Sequence, residues 1–264
     1  MSETFPDLME SPPPPPFEPS GCEPIVPILP PPVPGSNTVR GRDLLVAVPI
    51  LWAAEVLTGL LLLCWIGLRG EPEEHPAAVL ITALLSGATT LLVSWRFVCR
   101  KYGKSFASGF HFTRPTRRAL LTALACGGGC GLLACAVSCL FSDGDSFMRR
   151  LVETPLGLTS VAILSVALVP VEEIYYRGFI FPVLQRKLGT AVAVAAVSIW
   201  FGLAHVPQLL GDPSAIPVVL AAGIMWTVQR ARSGGLTLGT LTHLFYNLTL
   251  IVLTLAWAAG GSGG

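Results

Sequence analysis

Long apolar segments alternate with short polar segments along most of the chain. Seven segments contain enough apolar residues, over about 20 positions each, to cross the hydrocarbon core of a bilayer as helices. The sixth of them is the shortest. The pattern therefore predicts an all-α fold, a polytopic transmembrane helix bundle whose spans are Leu44–Leu68, Ala77–Val98, Ala119–Phe141, Gly157–Leu184, Thr190–Leu210, Ser214–Gln229 and Leu236–Trp257.

The composition agrees with a multi-pass membrane protein. Of the 264 residues, 52% are hydrophobic and only 12% are charged, with a mean hydropathy of +0.65, whereas soluble domains contain roughly 25% charged residues. With the N-terminus inside, the seven spans place 14 of the 17 basic residues on the cytoplasmic side, as the positive-inside rule expects. The basic clusters are therefore orientation signals, and we expect no nucleic-acid partner.

Residues 1–39 differ from the rest of the chain, with 13 prolines, five acidic residues and no lysine or arginine. Such a segment is predicted to be a disordered or polyproline II tail in the cytoplasm. It serves as a spacer or binds a cytoplasmic partner. The membrane bundle then occupies residues 40–264.

The third span contains Gly127 and Gly131 at a spacing of four residues, together with four cysteines. Small residues at this spacing let two membrane helices approach closely. We therefore interpret the glycines as a helix-packing seam, and the cysteines as part of the same packing instead of a metal cluster.

Two adjacent acids, Glu172 and Glu173, and Arg177 interrupt the fourth span in the sequence VEEIYYRG. If the span ended at Pro170, the charged side chains would only extend into the cytoplasmic interface of the membrane. Apolar residues continue to Leu184, however, so Glu172 lies about 21 Å from Arg186 at ~1.5 Å per residue, near the middle of the bilayer.

Charges at that depth need partners inside the protein. Glu173 and Arg177 stand at i and i+4 and are predicted to form an ion pair. Glu172 points away from that pair and is left for another task. Pro170 is expected to kink the helix.

Two histidines and an asparagine are predicted at a similar depth. At ~1.5 Å per residue, His205 lies about 27 Å from Lys187, and His243 and Asn247 lie about 16 and 22 Å from Arg232. A carboxylate beside an imidazole can take a proton from water, while a second imidazole and an amide can hold an oxyanion. Alternatively, Glu172, His205 and His243 could bind zinc and leave one position open for water.

These residues lie in EEIYYR (172–177), FGLAH (201–205) and HLFYN (243–247). These segments match, in the same order, the motifs EExxxR, FxxxH and HxxxN of the CAAX-protease and bacteriocin-processing (CPBP) family. The chain therefore resembles this family of intramembrane endopeptidases, which includes the type II CAAX prenyl endopeptidases. The resemblance covers about residues 155–258, the expected catalytic core. It implies that Glu172 and His205 activate water and that His243 and Asn247 stabilise the oxyanion, inside the bundle. Glu173 and Arg177 are implied to support the site.

The resemblance leaves several points open. The family has been described both as metalloproteases and as glutamate-type proteases; we favour no metal cofactor, with a divalent metal such as zinc as the alternative. Relatives of the CAAX enzymes have eight spans, against the seven counted here. Other functions for such a chain are a catalytically idle immunity or scaffold protein of the same family, and a proton-coupled transporter.

The expected substrate is a membrane-associated protein or peptide, with a prenylated CAAX protein as one candidate. The small size of the chain favours a bacterial plasma membrane over the endoplasmic reticulum.

Overall fold

The computed structural model describes residues 39–67, 70–141, 147–209 and 212–261. The predicted Pro-rich tail, apart from Val39, lies outside the described residues. Within these ranges the protein is all-α, without a strand.

Eleven α-helices follow one another along the described parts of the chain. They are α1 (Gly41–Ile66), α2 (Pro76–Trp95), α3 (Phe106–Gly109), α4 (Arg117–Phe141), α5 (Phe147–Val152), α6 (Pro155–Ala167), α7 (Val169–Glu172), α8 (Phe181–Leu188), α9 (Thr190–His205), α10 (Ala215–Ser233) and α11 (Thr237–Gly261). Two π-helical segments, Arg96–Arg100 and Glu173–Ile180, and two short 3₁₀ segments, Pro72–Glu74 and Val206–Leu209, join some of them.

Six helical segments in the described residues are long and apolar enough to cross a membrane, which supports an integral multi-pass membrane protein. They correspond to six of the seven predicted spans: Gly41–Ile66, Pro76–Arg100, Arg117–Phe141, Pro155–Leu188, Thr190–Leu209 and Thr237–Trp257. The predicted sixth span forms α10, a helix of 19 residues that is not among the six. Its last turn carries Arg230 and Arg232, which lower its hydropathy.

Basic residues of distant segments meet at the predicted cytoplasmic end of the bundle. The Arg186 guanidinium donates a hydrogen bond to the carbonyl of Val39, and Lys101 and Tyr102 both bind the buried carboxylate of Asp43. Burial and the hydrogen bond to Asp43 raise the pKa of the Tyr102 hydroxyl above its usual value. These contacts hold the start of α1 against the ends of the second and fourth spans.

The predicted glycine seam is confirmed, and its partner is α11. A β-carbon on Gly127 would overlap the carbonyl oxygen of Thr242 and lie 2.9 Å from the β-carbon of Phe245. One on Gly131 would lie 2.8 Å from the β-carbon of Thr249. Only glycine therefore allows α4 to lie this close to α11. The seam fixes the position of the helix that carries His243 and Asn247.

The fourth span is interrupted where the sequence predicts a kink. Helix α6 ends at Ala167, and α7 begins at Val169 with Pro170 in its first turn. Proline has no backbone N–H and blocks the preceding turn, so the helix breaks just before it. The break places the two glutamates at the start of the second half of the span.

Candidate active site

The motif EEIYYR does not continue as an α-helix. From Glu173 to Ile180 the backbone is π-helical, a rare conformation that occurs frequently at functional sites. In this segment the N–H of Phe181 bonds the carbonyl of Tyr176, five residues earlier. The next carbonyl, that of Arg177, would need the N–H of residue 182, which is a proline.

Arg230 of α10 provides the missing partner. Its Nε donates to the Arg177 carbonyl at 3.2 Å, and the Arg230 side chain is buried. Backbone groups inside a membrane protein must be paired with other protein groups. Helix α10 therefore completes the hydrogen bonding of the π-helical segment.

The predicted ion pair between Glu173 and Arg177 is present. Arg177 Nη1 lies 3.1 Å from Glu173 Oε1, and both side chains are fully buried. Arg177 also donates to the Thr227 hydroxyl and to the Gly223 carbonyl, each at 3.1 Å, and its guanidinium lies 4.5 Å from the ring centre of Phe201. The pair thus locks the fourth span to α9 and α10.

His243 lies between the two glutamates, which sequence reasoning did not anticipate. Its Nδ1 is 3.0 Å from Glu173 Oε1, and its Nε2 is 3.8 Å from Glu172 Oε2. The hydrogen bond to a carboxylate makes Nδ1 a donor and directs Nε2 towards Glu172. Glu173 therefore positions His243 in addition to pairing with Arg177.

The indole of Trp226 holds the other face of His243. The two rings are stacked, with centroids 3.7 Å apart and an angle of 17° between their planes. Trp226 is 1% exposed, so the imidazole has little freedom to rotate. Sequence reasoning missed Trp226, because an aromatic residue in an apolar helix gives no sign of its partner.

His205 lies at the end of α9 and is half-buried. Its Nδ1 is 2.8 Å from the carbonyl oxygen of Phe201, one turn earlier. Since a carbonyl only accepts, Nδ1 is the donor, and a neutral His205 has its lone pair at Nε2. The imidazole of this histidine is thus oriented by its own helix.

Glu172 and His205 line one cavity of about 970 Å³. Most of the lining residues come from α1, α2, the motif segment and α9. The family resemblance implies four catalytic residues, and two of them, Glu172 and His205, are among the described residues that line this cavity. His243 lies behind Glu172 and reaches the cavity through that carboxylate.

Asn247 makes a different contact. Its Nδ2 donates to the carbonyl oxygen of Ser165 in α6 at 2.7 Å. The side-chain amide nitrogen carries two hydrogens, so the second hydrogen can be donated to another acceptor. Asn247 therefore joins α11 to the helix that precedes the Pro170 break.

The proposed zinc ligands do not form a metal site as they are arranged. Within the described residues, no three side chains of histidine, cysteine, aspartate or glutamate come together so as to hold a metal ion. Both ring nitrogens of His243 face carboxylates. The ring of Phe201 packs near both imidazoles, with its centroid 4.2 Å from that of His205 and 6.0 Å from that of His243. The chelator experiment in the Discussion tests the zinc alternative directly.

These motifs lie inside a segment that matches a known family. Residues 154–249 match the family model described as "Type II CAAX prenyl endopeptidase Rce1-like". No curated protein and no solved structure matches the chain significantly. The matched segment runs from the start of α6 into α11 and contains both glutamates, Arg177, both histidines and Asn247. This part of the chain is therefore similar to the type II CAAX prenyl endopeptidases, in agreement with the resemblance of its three motifs to the CAAX-protease and bacteriocin-processing family.

Proposed function

We propose that this protein is an intramembrane endopeptidase that hydrolyses a peptide bond of a membrane-associated protein or peptide by means of an activated water molecule. The observation that carries the proposal is the presence of Glu172 and His205 on the wall of one deep cavity. A carboxylate and an imidazole at such a place can remove a proton from water in the course of its attack.

Glu172 is the general base in this proposal. Its side chain is 27% exposed, whereas that of Glu173 is fully buried, so Glu172 is the acid that a water molecule in the cavity can reach. The proton taken from water passes from Glu172 to the nitrogen of the leaving amine. His205 assists through Nε2, since its Nδ1 is engaged by the Phe201 carbonyl.

His243 and Asn247 stabilise the oxyanion in this proposal. A protonated His243 donates through Nδ1 to Glu173 and has a second hydrogen at Nε2, which faces the Glu172 side of the site. Asn247 contributes the amide hydrogen that does not bind Ser165. Preorganised donors of this kind typically lower the barrier of acyl transfer.

The substrate class follows from the membrane location of the site. A prenylated CAAX protein is one candidate, and an internal segment of another membrane peptide is the second. No metal is required by the proposed steps. We expect the protein in a bacterial plasma membrane.

The test is cleavage of a peptide library by the purified protein in detergent, compared with the variants Glu172→Gln and His205→Ala. Glutamine has nearly the volume of glutamate but cannot take the proton, so turnover should fall by about 10²–10⁴ in each variant. Thermal unfolding should be similar for the wild type and Glu172→Gln.

Three results would contradict the proposal. Full turnover in a folded Glu172→Gln variant would remove the base. A folded wild type that cleaves nothing would favour the idle family member. Substrate flux across vesicles without cleavage would favour the transporter.

A further inference from the structure

A second carboxylate, Glu55, lies in the middle of the first span. It is 15 residues after Arg40, about 22.5 Å along an α-helix at ~1.5 Å per residue. Glu172 is 14 residues before Arg186, and eight of the residues between them are in the π-helical segment. Arg40 and Arg186 line the same small cavity, of about 410 Å³. Both segments thus start from one end of the bundle, and each acid lies a similar number of residues inside it.

Glu55 and Glu172 also line the same large cavity. Glu55 comes from α1, and its Oε1 accepts a hydrogen bond from the hydroxyl of Ser86 on α2. The Glu55 side chain is exposed, so a molecule in the cavity can reach it. An acid at this depth is costly unless it faces a polar cavity or a partner, and such residues commonly mark a functional pathway.

The cavity is lined by acidic side chains and by no permanently cationic one among the described residues. Among the described residues that line it, Glu55 and Glu172 are the carboxylates, and there is no lysine or arginine. Arg177, the nearest cation in the sequence, is fully buried behind the wall against Glu173. A group with positive charge is therefore favoured in the cavity, and a second negative charge is disfavoured.

We infer that Glu55 forms a cation-binding subsite that selects substrates with a lysine or arginine side chain near the scissile bond. The inference rests on the proposed peptidase function and names the substrate chemistry of that site. A cavity of this volume accommodates a short extended peptide, with the reacting carbonyl at Glu172 and a basic side chain reaching Glu55. Of the two substrate candidates, this subsite therefore favours an internal segment of a membrane peptide, because the free C-terminal carboxylate of a CAAX protein would meet two like charges.

The experiment uses peptides that carry lysine, norleucine or glutamate at each position flanking the cleaved bond. Both kcat/KM and the dissociation constant are measured for the full-length wild type, Glu55→Gln and Glu55→Lys. The wild type should prefer lysine over glutamate at one position by about tenfold or more. Glu55→Gln should reduce this ratio to about twofold, and Glu55→Lys should reverse it.

A matched control is Glu153→Gln, which removes an exposed carboxylate outside the cavity and should leave the ratio unchanged. Cleavage by the wild type without a charge preference, or with a preference that survives in Glu55→Gln, would overturn the inference and leave the peptidase function intact. A lysine preference in binding that depends on Glu55, without any cleavage, would support the subsite and remove the peptidase function.

Discussion

One oxygen of Glu173, Oε1, lies 3.0 Å from Nδ1 of His243. The same oxygen accepts from Nη1 of Arg177 at 3.1 Å. The second oxygen, Oε2, is buried without a hydrogen-bond partner among the described residues. Glu173 therefore connects the arginine that joins α9 and α10 to the fourth span with the histidine beside Glu172.

This connection predicts the behaviour of Glu173→Gln. Loss of the charge leaves Arg177 buried without its counterion, which typically costs about 3–5 kcal/mol of stability, and it leaves His243 Nδ1 with a neutral amide oxygen as acceptor in place of a carboxylate. Turnover should fall by on the order of 10²-fold, as for a misplaced acid–base group. Steady-state kinetics and thermal unfolding in detergent measure the two effects, and full turnover in Glu173→Gln would contradict the positioning role.

The glycine seam predicts a difference between two neighbouring substitutions. Gly127→Ala places a methyl group against the backbone of α11, whereas Gly129→Ala meets no atom within 4 Å. The first should lower stability by about 1–3 kcal/mol through overpacking, and the second should leave it nearly unchanged. Equal unfolding temperatures for the two variants would mean that α4 and α11 are not packed through these glycines.

The bond from Arg230 to the Arg177 carbonyl predicts a rescue. Arg230→Met leaves that buried carbonyl unpaired and should cost about 1–3 kcal/mol. Adding Pro182→Ala supplies an N–H five residues after Arg177, so the double variant should recover part of the loss. A double-mutant cycle from denaturation curves measures the coupling, and strict additivity would show that the two groups do not compete for this carbonyl.

Chelators test the choice between the two mechanisms of the family. If Glu172 and His205 activate water without metal, dialysis against a strong chelator should leave the cleavage rate unchanged. A zinc enzyme would instead lose its activity and regain it when zinc is added. The readout is cleavage of a peptide that the untreated protein hydrolyses, with metal content measured in parallel.

Local rules predicted the parts of the site that lie within one helix. The spacing of Glu173 and Arg177 gave their ion pair, and Gly127 with Gly131 gave a packing seam. The break before Pro170 likewise follows from the missing N–H of proline. Each of these features depends on residues a few positions apart, for which helix geometry is sufficient.

Contacts between distant helices were beyond such rules. A regular helix predicts that Glu172 and Glu173 face different ways, but the π-helical segment and the position of α11 let His243 contact both. The stacking of Trp226 on His243 depends on how α10 and α11 pack. These contacts arise from the relative placement of separate helices, whether their residues are 70 positions apart, as Glu173 and His243 are, or 17, as Trp226 and His243 are.

The seam between α4 and α11 also has a consequence for biosynthesis. Helix α4 is made more than 100 residues before α11, so its glycine face must remain without its partner until the last span of the described chain enters the membrane. His243 and Asn247 arrive only with that span. In the proposed mechanism, the nascent protein therefore cannot cleave its neighbours at the insertion site, because its oxyanion-binding residues are the last to be delivered.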